Sequence, residues 1–362
     1  LILNWRDPAN PKSGGAEVVI GKYAQHWMKN GDKVFWIGNR FKKSSQTENF
    51  RGLVIHRVRP ELPFYNTPLM LIYYPIFLIN AMFSAYKVSQ KYKFDLIIDA
   101  IHGLPWFSPF YLNKKIVLFV CEVAGPIWDK MYPFPINLVG KVLEKIVYTI
   151  YQKCEVWAIS ESTKKDILKI NPKLNVKVIP LGIDSSDFKM QKKFDFPSAI
   201  FMARLVPMKG IEAALLAVTQ IVQRFPNFKL FVVGGGNKEY IEKLRQTIVG
   251  NNIEKNVEFM GRAPDSERNQ LYAKCHFLIH PSFKEGFGLT VLESGASGTP
   301  TIARKGSSMD ELIEDGKDGL LFEQDSQIAQ LFIKYFNTPK YHQMRENVLA
   351  KSKRYDWSKI LA

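Results

Sequence analysis

The stretch HPSFKEGFGLTVLESGASGTPTIA, residues 280–303, decides how this chain reads. An apolar run of strand length, Cys275-His276-Phe277-Leu278-Ile279, leads into it, and the turn Glu285-Gly286-Phe287-Gly288 opens onto Leu289 to Ala296, which has the composition of a helix. Backbone N–H groups of that turn therefore sit near a helix N-terminus, where unsatisfied amides and the helix dipole favour anions. Two acids, Glu285 and Glu293, flank this anion-favouring end. The arrangement suits a ligand carrying both phosphate and sugar hydroxyls. The competing reading is that acids near a helix start only cap it or complement its dipole. Glu293 lies about two turns in, beyond the reach of that effect, in the apolar company of Leu289, Val291 and Leu292.

Outward from that stretch, apolar runs of strand length alternate with amphipathic runs of helix length, the pattern of parallel sheets covered by helices. In the first half the strands read as 1–4, 33–37, 53–58, 95–99, 115–120, 156–159 and 176–179. In the second they read as 198–203, 229–233, 257–260, 276–279, 299–303 and 319–322. The 362 residues, 46% hydrophobic and 23% charged, exceed what one core usually holds. The expected fold class is α/β, with two doubly wound parallel-sheet domains. Pro180-Leu181-Gly182-Ile183-Asp184-Ser185-Ser186-Asp187 has the turn chemistry of a linker. It divides a first domain, 1–182, from a second, 183–340, leaving 341–362 as a closing helical segment. Ligands of such sheets bind at the carboxyl ends of strands, so a cleft between the domains is the expected site.

Net charge is +16 and uneven: residues 1–182 hold 25 Lys and Arg against 13 Asp and Glu, the remainder 25 against 21. A basic first half fits nucleic acid, anionic lipid or phosphorylated ligands, or simply solvated lysines. Three widely spaced cysteines, Cys121, Cys154 and Cys275, argue against a disulfide framework, and no Cys/His set has zinc spacing. The opening Leu1-Ile2-Leu3-Asn4 is strand-like, with no basic-then-apolar leader, so a cytoplasmic location is expected. Residues 62–86, LPFYNTPLMLIYYPIFLINAMFSAY, carry no charge and are long enough to span a bilayer. Pro63, Pro68 and Pro75 interrupt them, which sets a true span behind two competing readings, a membrane-surface or lipid-acceptor element and a helix buried in the domain.

Ala203-Arg204-Leu205-Val206-Pro207-Met208-Lys209-Gly210 follows the first strand of the second half. Its two cations, Arg204 and Lys209, bracket a strand-to-helix turn where they could hold a diphosphate or lie in solvent. Gly234-Gly235-Gly236 ends the next strand, and Ser13-Gly14-Gly15-Ala16-Glu17 precedes a helix over 16–30 whose amides could face phosphate; glycines in tight turns give the same pattern. His102 lies just past a strand end, open to a ligand role or a structural hydrogen bond, and His280 reads as structural.

In order and spacing these elements resemble the retaining glycosyltransferases of family 4, glycosyl transferases group 1, whose GT-B fold sets two Rossmann-like domains face to face. The resemblance covers nearly the whole chain. It is carried by Gly14-Gly15 with Glu17, Ile179-Pro180-Leu181-Gly182-Ile183-Asp184, Arg204 with Lys209-Gly210, Gly234-Gly235, Phe259-Met260-Gly261-Arg262 and, above all, Glu285 to Glu293. It implies transfer of a sugar from a UDP- or GDP-linked donor with retention of anomeric configuration. Glu293 would accept hydrogen bonds from ribose hydroxyls and Glu285 would touch the transferred sugar. Gly286, Phe287, Gly288 and Leu289 would offer amides to sugar and phosphate. Arg204 and Lys209 would clamp the diphosphate, with Gly14 and Gly15 closing from the first domain and Arg262 near the base. Fixed cations and oriented amides lower the barrier to charge building on the leaving oxygen. Neither a metal nor a cofactor is expected, and no Asp-x-Asp triplet occurs.

One departure stands out, because the family commonly carries a cleft His where this chain has Cys121, in Val117-Leu118-Phe119-Val120-Cys121-Glu122. His102 or Glu122 would then take over that contact, or the activity is altered. Tyr355-Asp356-Trp357-Ser358 resembles the family's closing segment, which returns to the first domain. The basic, apolar first domain points to a lipid-linked or membrane-associated glycan as acceptor and to peripheral attachment at an anionic membrane surface; nucleic acid is not an expected partner. Other classes stay in view: a related epimerase or phosphorylase, or a non-catalytic membrane- or nucleic-acid-binding derivative.

Overall fold

The computed structural model of the chain describes residues 1–11, 13–62, 70–101, 105–131 and 133–362. They form two compact units, one of Leu1–Gly125 and Phe134–Pro180, the other of Pro126–Pro133 and Leu181–Ile360. The break after Pro180 lies in the linker-like stretch.

The first unit runs β1 (Ile2–Leu3), α1 (Gly15–Lys29), β2 (Phe35–Asn39), β3 (Thr47–Phe50), β4 (Leu53–Val58), α2 (Met70–Lys91), β5 (Ile97–Ile101) and β6 (Ile116–Val120). After α3 (Pro126–Met131), which belongs to the second unit, it continues with α4 (Ile136–Ile150), β7 (Glu155–Ala158), α5 (Glu161–Ile170) and β8 (Asn175–Val178). Among the described residues its sheet has the order β3-β4-β2-β1-β5-β6-β7-β8. Every pair is parallel except β3 with β4. Runs such as Ile116-Val117-Leu118-Phe119-Val120 are buried throughout because helices cover both faces of a parallel sheet.

The strand β3 is absent from the sequence reading. Its residues, Thr-Glu-Asn-Phe, lie on the sheet edge with every second one exposed, so they lack the apolar signature of their neighbours. What makes it a strand is the hairpin. Arg51 and Gly52 both have positive φ, and Asn49 Oδ1 accepts the Gly52 amide at 2.9 Å.

Residues 70–91 form helix α2 with Pro75 inside it; 63–69 lie outside the described residues. The helix takes something from both competing readings, burying Phe77, Ala81 and Ala85 while exposing Ile72, Ile76, Ile79 and Phe83. Among the described residues, no helix is long and apolar enough to cross a membrane.

The second unit runs β9 (Ser198–Met202), α6 (Ile211–Arg224), β10 (Lys229–Val233), α7 (Lys238–Gly250), β11 (Val257–Gly261), α8 (Asp265–Lys274), β12 (Phe277–His280) and α9 (Leu289–Ala296). It ends with β13 (Thr301–Arg304), α10 (Met309–Leu312), β14 (Leu320–Phe322), α11 (Gln327–Tyr335), α12 (Pro339–Ser352) and α13 (Trp357–Ile360). The sheet is parallel in the order β11-β10-β9-β12-β13-β14. Numbered within the unit this is 3-2-1-4-5-6, the doubly wound order whose direction of winding reverses between the first and fourth strands. Loops leaving the carboxyl ends of β9 and β12 flank that point.

Residues 341–360 group with the second unit: Tyr341 and Met344 are buried in its core and Val348 packs on Gly295 of α9. The tail is also tied to the segment after the break: Ile183 N–H donates to Tyr355 O at 2.8 Å, Trp357 N–H to Ile183 O at 3.0 Å, and Ser185 N–H to Asp356 Oδ2 at 3.0 Å.

Candidate active site

At the reversal point, the two loops that follow β9 and β12 are joined to each other. Phe283 N–H donates to Met208 O at 3.0 Å, which lays the segment after β12 along the turn Pro207–Lys209. That register brings together side chains 76 residues apart in sequence: Lys209 Nζ lies 2.5 Å from Glu285 Oε1. His280, the last residue of β12, places Nε2 3.2 Å from the same oxygen, an ion-pair distance without hydrogen-bond alignment. Burial works against a charge on Glu285, yet Lys209 and then His280 outweigh it and hold the carboxyl well below the usual carboxylate range. The backbone of Glu285 is fixed as well, its amide donating to Ser307 Oγ at 3.3 Å and its carbonyl accepting from Ser308 Oγ at 3.2 Å.

Gly288 caps α9 with φ 103°, a left-handed conformation, and a Cβ there would meet Met309 Cε at 2.5 Å. Only glycine satisfies both demands without strain. Phe287 is buried against Tyr355, ring centroids 6.2 Å apart, so the Gly286-Phe287-Gly288 turn is anchored by a side chain as it presents the N-terminus of α9. Two turns along α9, Glu293 Oε2 accepts from the buried Tyr272 hydroxyl at 3.2 Å. Burial raises the Glu293 carboxyl above its ordinary value, with the Arg268 charge opposing. The two acids flagged in the sequence thus sit in opposite states of stress, Glu285 charged and compensated, Glu293 pushed toward protonation.

Arg204, just past β9, is exposed, and among the described residues it forms no ion pair. Gly234 is forced by closeness, since a Cβ there would fall 1.8 Å from Ala203 O. Arg262 is exposed beside Gly235, whose added Cβ would meet Arg262 Nε at 3.5 Å. Arg204, Lys209, Gly234, Arg262 and the 285–293 segment therefore all belong to one unit, after the carboxyl ends of β9, β10, β11 and β12. Among the described residues, no group of three or more His, Cys, Asp or Glu could hold a metal ion.

Gly14 and Gly15 lie on the first unit, at the start of α1. There the Gly14 N–H donates to Glu17 Oε2 at 2.7 Å, the glutamate half of a capping box. His102 lies outside the described residues. Cys121 follows β6, and burial, then the nearby charges of Glu17 and Glu122, push its thiol well up, so it stays protonated and is no substitute for a basic imidazole.

Three features escaped the sequence reading. His280 reads as structural, but the strand geometry turns it onto Glu285; its only sequence signal is its closeness to that acid. Tyr272 gives no sign of its bond to Glu293. In the first unit, Asp99 is fully buried and gathers four donors: Trp106 N–H at 3.1 Å, Ser108 N–H at 3.3 Å, Ser108 Oγ at 2.6 Å and the Tyr151 hydroxyl.

The model of Glycosyltransferase Family 4 matches residues 13–187, and that of Glycosyl transferases group 1 matches residues 183–351. An uncharacterized glycosyltransferase of Methanocaldococcus jannaschii is 27% identical over 88% of this chain and 83% of its own. The alpha-monoglucosyldiacylglycerol synthase of Streptococcus pneumoniae is 29% identical over 90% of this chain and 76% of its own. Among solved structures, that of Anabaena HepE in complex with UDP-glucose has a TM-score of 0.76 at 20% identity, covering 99% of this chain and 96% of the other. The chain belongs to the retaining glycosyltransferases of group 1, family 4, with the GT-B fold, and it is a nucleotide-sugar glycosyltransferase.

Proposed function

We propose that the enzyme transfers a hexose from a UDP- or GDP-linked sugar to a lipid-linked acceptor, with retention of configuration and without a metal. The observation that carries the donor half is the Lys209–Glu285 pair with His280, set at the winding-reversal point before the N-terminus of α9. In this reading Lys209 and Arg204 hold the diphosphate and stabilise negative charge on its oxygen as the sugar–phosphate bond breaks. The N-terminus of α9 adds to the same stabilisation. Glu285, ionised, accepts hydrogen bonds from sugar hydroxyls, and Glu293 accepts them from the ribose. The acceptor hydroxyl attacks on the face the phosphate leaves, and the departing phosphate oxygen takes its proton. No carboxylate need form a bond to the sugar. The likeness to HepE, whose structure holds UDP-glucose, favours a UDP-linked donor, and the likeness to a glucosyldiacylglycerol synthase favours a lipid acceptor.

Thermal shift against a panel of nucleotide sugars tests the donor half. One nucleotide sugar at 100 times its Kd should stabilise the protein by about 2.7 kcal/mol, and its free sugar not at all. Glu293→Gln should erase that response while leaving the unliganded protein as stable as before or slightly more so, because it removes a buried carboxyl that resists ionisation. Stabilisation of Glu293→Gln by the same donor to the same extent would refute the ribose role. A fluorinated donor that leaves a glycosylated Glu285 peptide would replace same-face attack with a covalent route.

A further inference from the structure

We propose that α2 and α4 of the first unit together form a surface that docks on an anionic lipid bilayer. Helix α2 presents Ile72, Ile76, Ile79, Phe83 and Tyr86 to solvent, a spacing of four, three, four and three that keeps them in one stripe opposite the buried Phe77, Ala81 and Ala85. Helix α4 exposes Ile136, Val139, Val142, Leu143 and Ile146 along one side while Val147 and Tyr148 are buried, and exposed Phe134 lies just before it. These are not grazing exposures: Phe83 is 64% exposed, Val139 54% and Ile79 53%.

Both helices lie on one face of the sheet. The crossovers β4-α2-β5 and β6-α4-β7 progress in the same direction along the strand order, so right-handedness puts both helices on the same side. Their inner faces share one core, which contains Phe77, Ala81, Ala85, Val147 and Tyr148. Monomeric soluble proteins rarely leave large apolar patches uncovered, and here one face of the sheet carries two such stripes.

Charge identifies the occupant. Residues 62–94 contain no acid, and Lys87, Lys91 and Lys93 are exposed at the end of α2. Helix α4 exposes Lys141 and Lys145 among its apolar residues. Its one acid, Glu144, is half-buried and accepts the Ala124 and Gly125 amides at 2.7 and 3.0 Å. An apolar stripe with basic residues and little exposed acid matches the acyl boundary and anionic headgroups of a bilayer surface. A second copy would set these lysines against one another. The inference rests on the proposed lipid acceptor only for what is glycosylated there.

The test is flotation of the whole protein, without donor, on vesicles of equal parts phosphatidylglycerol and phosphatidylcholine, and on phosphatidylcholine alone. Binding is expected to the anionic vesicles, to weaken when salt shortens the Debye length from about 10 Å to about 3 Å, and to fall at least tenfold in Ile79→Glu/Phe83→Glu and in Val139→Glu/Val142→Glu. Lys141→Gln/Lys145→Gln, which leaves the apolar stripe and hence the fold untouched, should cost about tenfold or more on anionic vesicles and little on neutral ones. Equal binding to both vesicle types, or unchanged binding by the apolar variants, overturns the proposal. So does a concentration-dependent dimer that the apolar variants dissolve while vesicles stay unbound. Because donor response is measured separately by thermal shift, loss of vesicle binding leaves the transferase reading intact.

Discussion

At the residue scale, the governing fact is that Glu285, only 15% exposed at its side chain, is held ionised by Lys209 and His280. A carboxyl held below its ordinary range contributes stability that is complete above the unfolded value of about 4.3 and is lost only as pH falls through the depressed folded value. The native protein should therefore show no Glu285-linked change in stability between pH 8 and pH 5. Lys209→Met removes the main opponent of burial, the largest influence on this group, and the carboxyl moves up. The sign then reverses: the variant is destabilised by about 3 kcal/mol at pH 8 and regains part of that on acidification, as Glu285 takes a proton. Urea titrations at pH 8 and pH 5 measure it, and a variant whose loss is the same at both would show that Glu285 is not the responsive group. Much of this site was legible. Glu285, Glu293, Arg204 and Lys209 follow from the residue types in their turns, but the contact of Lys209 with Glu285 depends on β9 lying next to β12, and strand order leaves no mark on local periodicity. The bond from the Gly14 amide to Glu17 was legible too, as glycine followed three residues later by glutamate.

At the scale of elements, strands buried on both faces announce themselves as apolar runs, which is why the parallel strands were legible and the polar edge strand β3 was not. Helix α2 shows the other limit. Apolar all round in sequence, it gave no hint which side would face the sheet, because hydrophobic pattern assigns a face only when the other side is polar. Helix α9 depends on a single residue at its start. Gly288→Ala adds strain at φ 103° and a collision with Met309, whose flexible end can yield, so the cost should be about 1–3 kcal/mol. Donor response should fall further than stability does, since the turn that aims the α9 amides must shift. A Gly288→Ala protein with full donor response would show that the turn does not hold the ligand.

At the scale of the whole molecule, two cores with no shared residues support two cooperative transitions. Calorimetry should resolve them, and a saturating nucleotide sugar should move the transition of the second unit, which holds the Lys209–Glu285 pair. Arg57→Met should move the other: Arg57 is buried in the first unit with Nε and one terminal nitrogen on Asp7 at 2.7 and 2.9 Å and the other terminal nitrogen on Glu48 at 2.6 Å, and removing one partner of a buried pair costs about 3–5 kcal/mol. A donor that shifts only the Arg57-sensitive transition would place its site outside the second unit. The Lys209–Glu285 pair has one more implication. In the proposed reading, a diphosphate that drew Lys209 away would strip Glu285 of its counter-charge, so a bare nucleoside diphosphate would be penalised, whereas a sugar-bearing donor would bring hydroxyls to the abandoned carboxylate. The pair would then work as a coincidence detector that rewards phosphate and sugar arriving together, and once the sugar had been passed on, the same penalty would become a push on the spent nucleotide to leave.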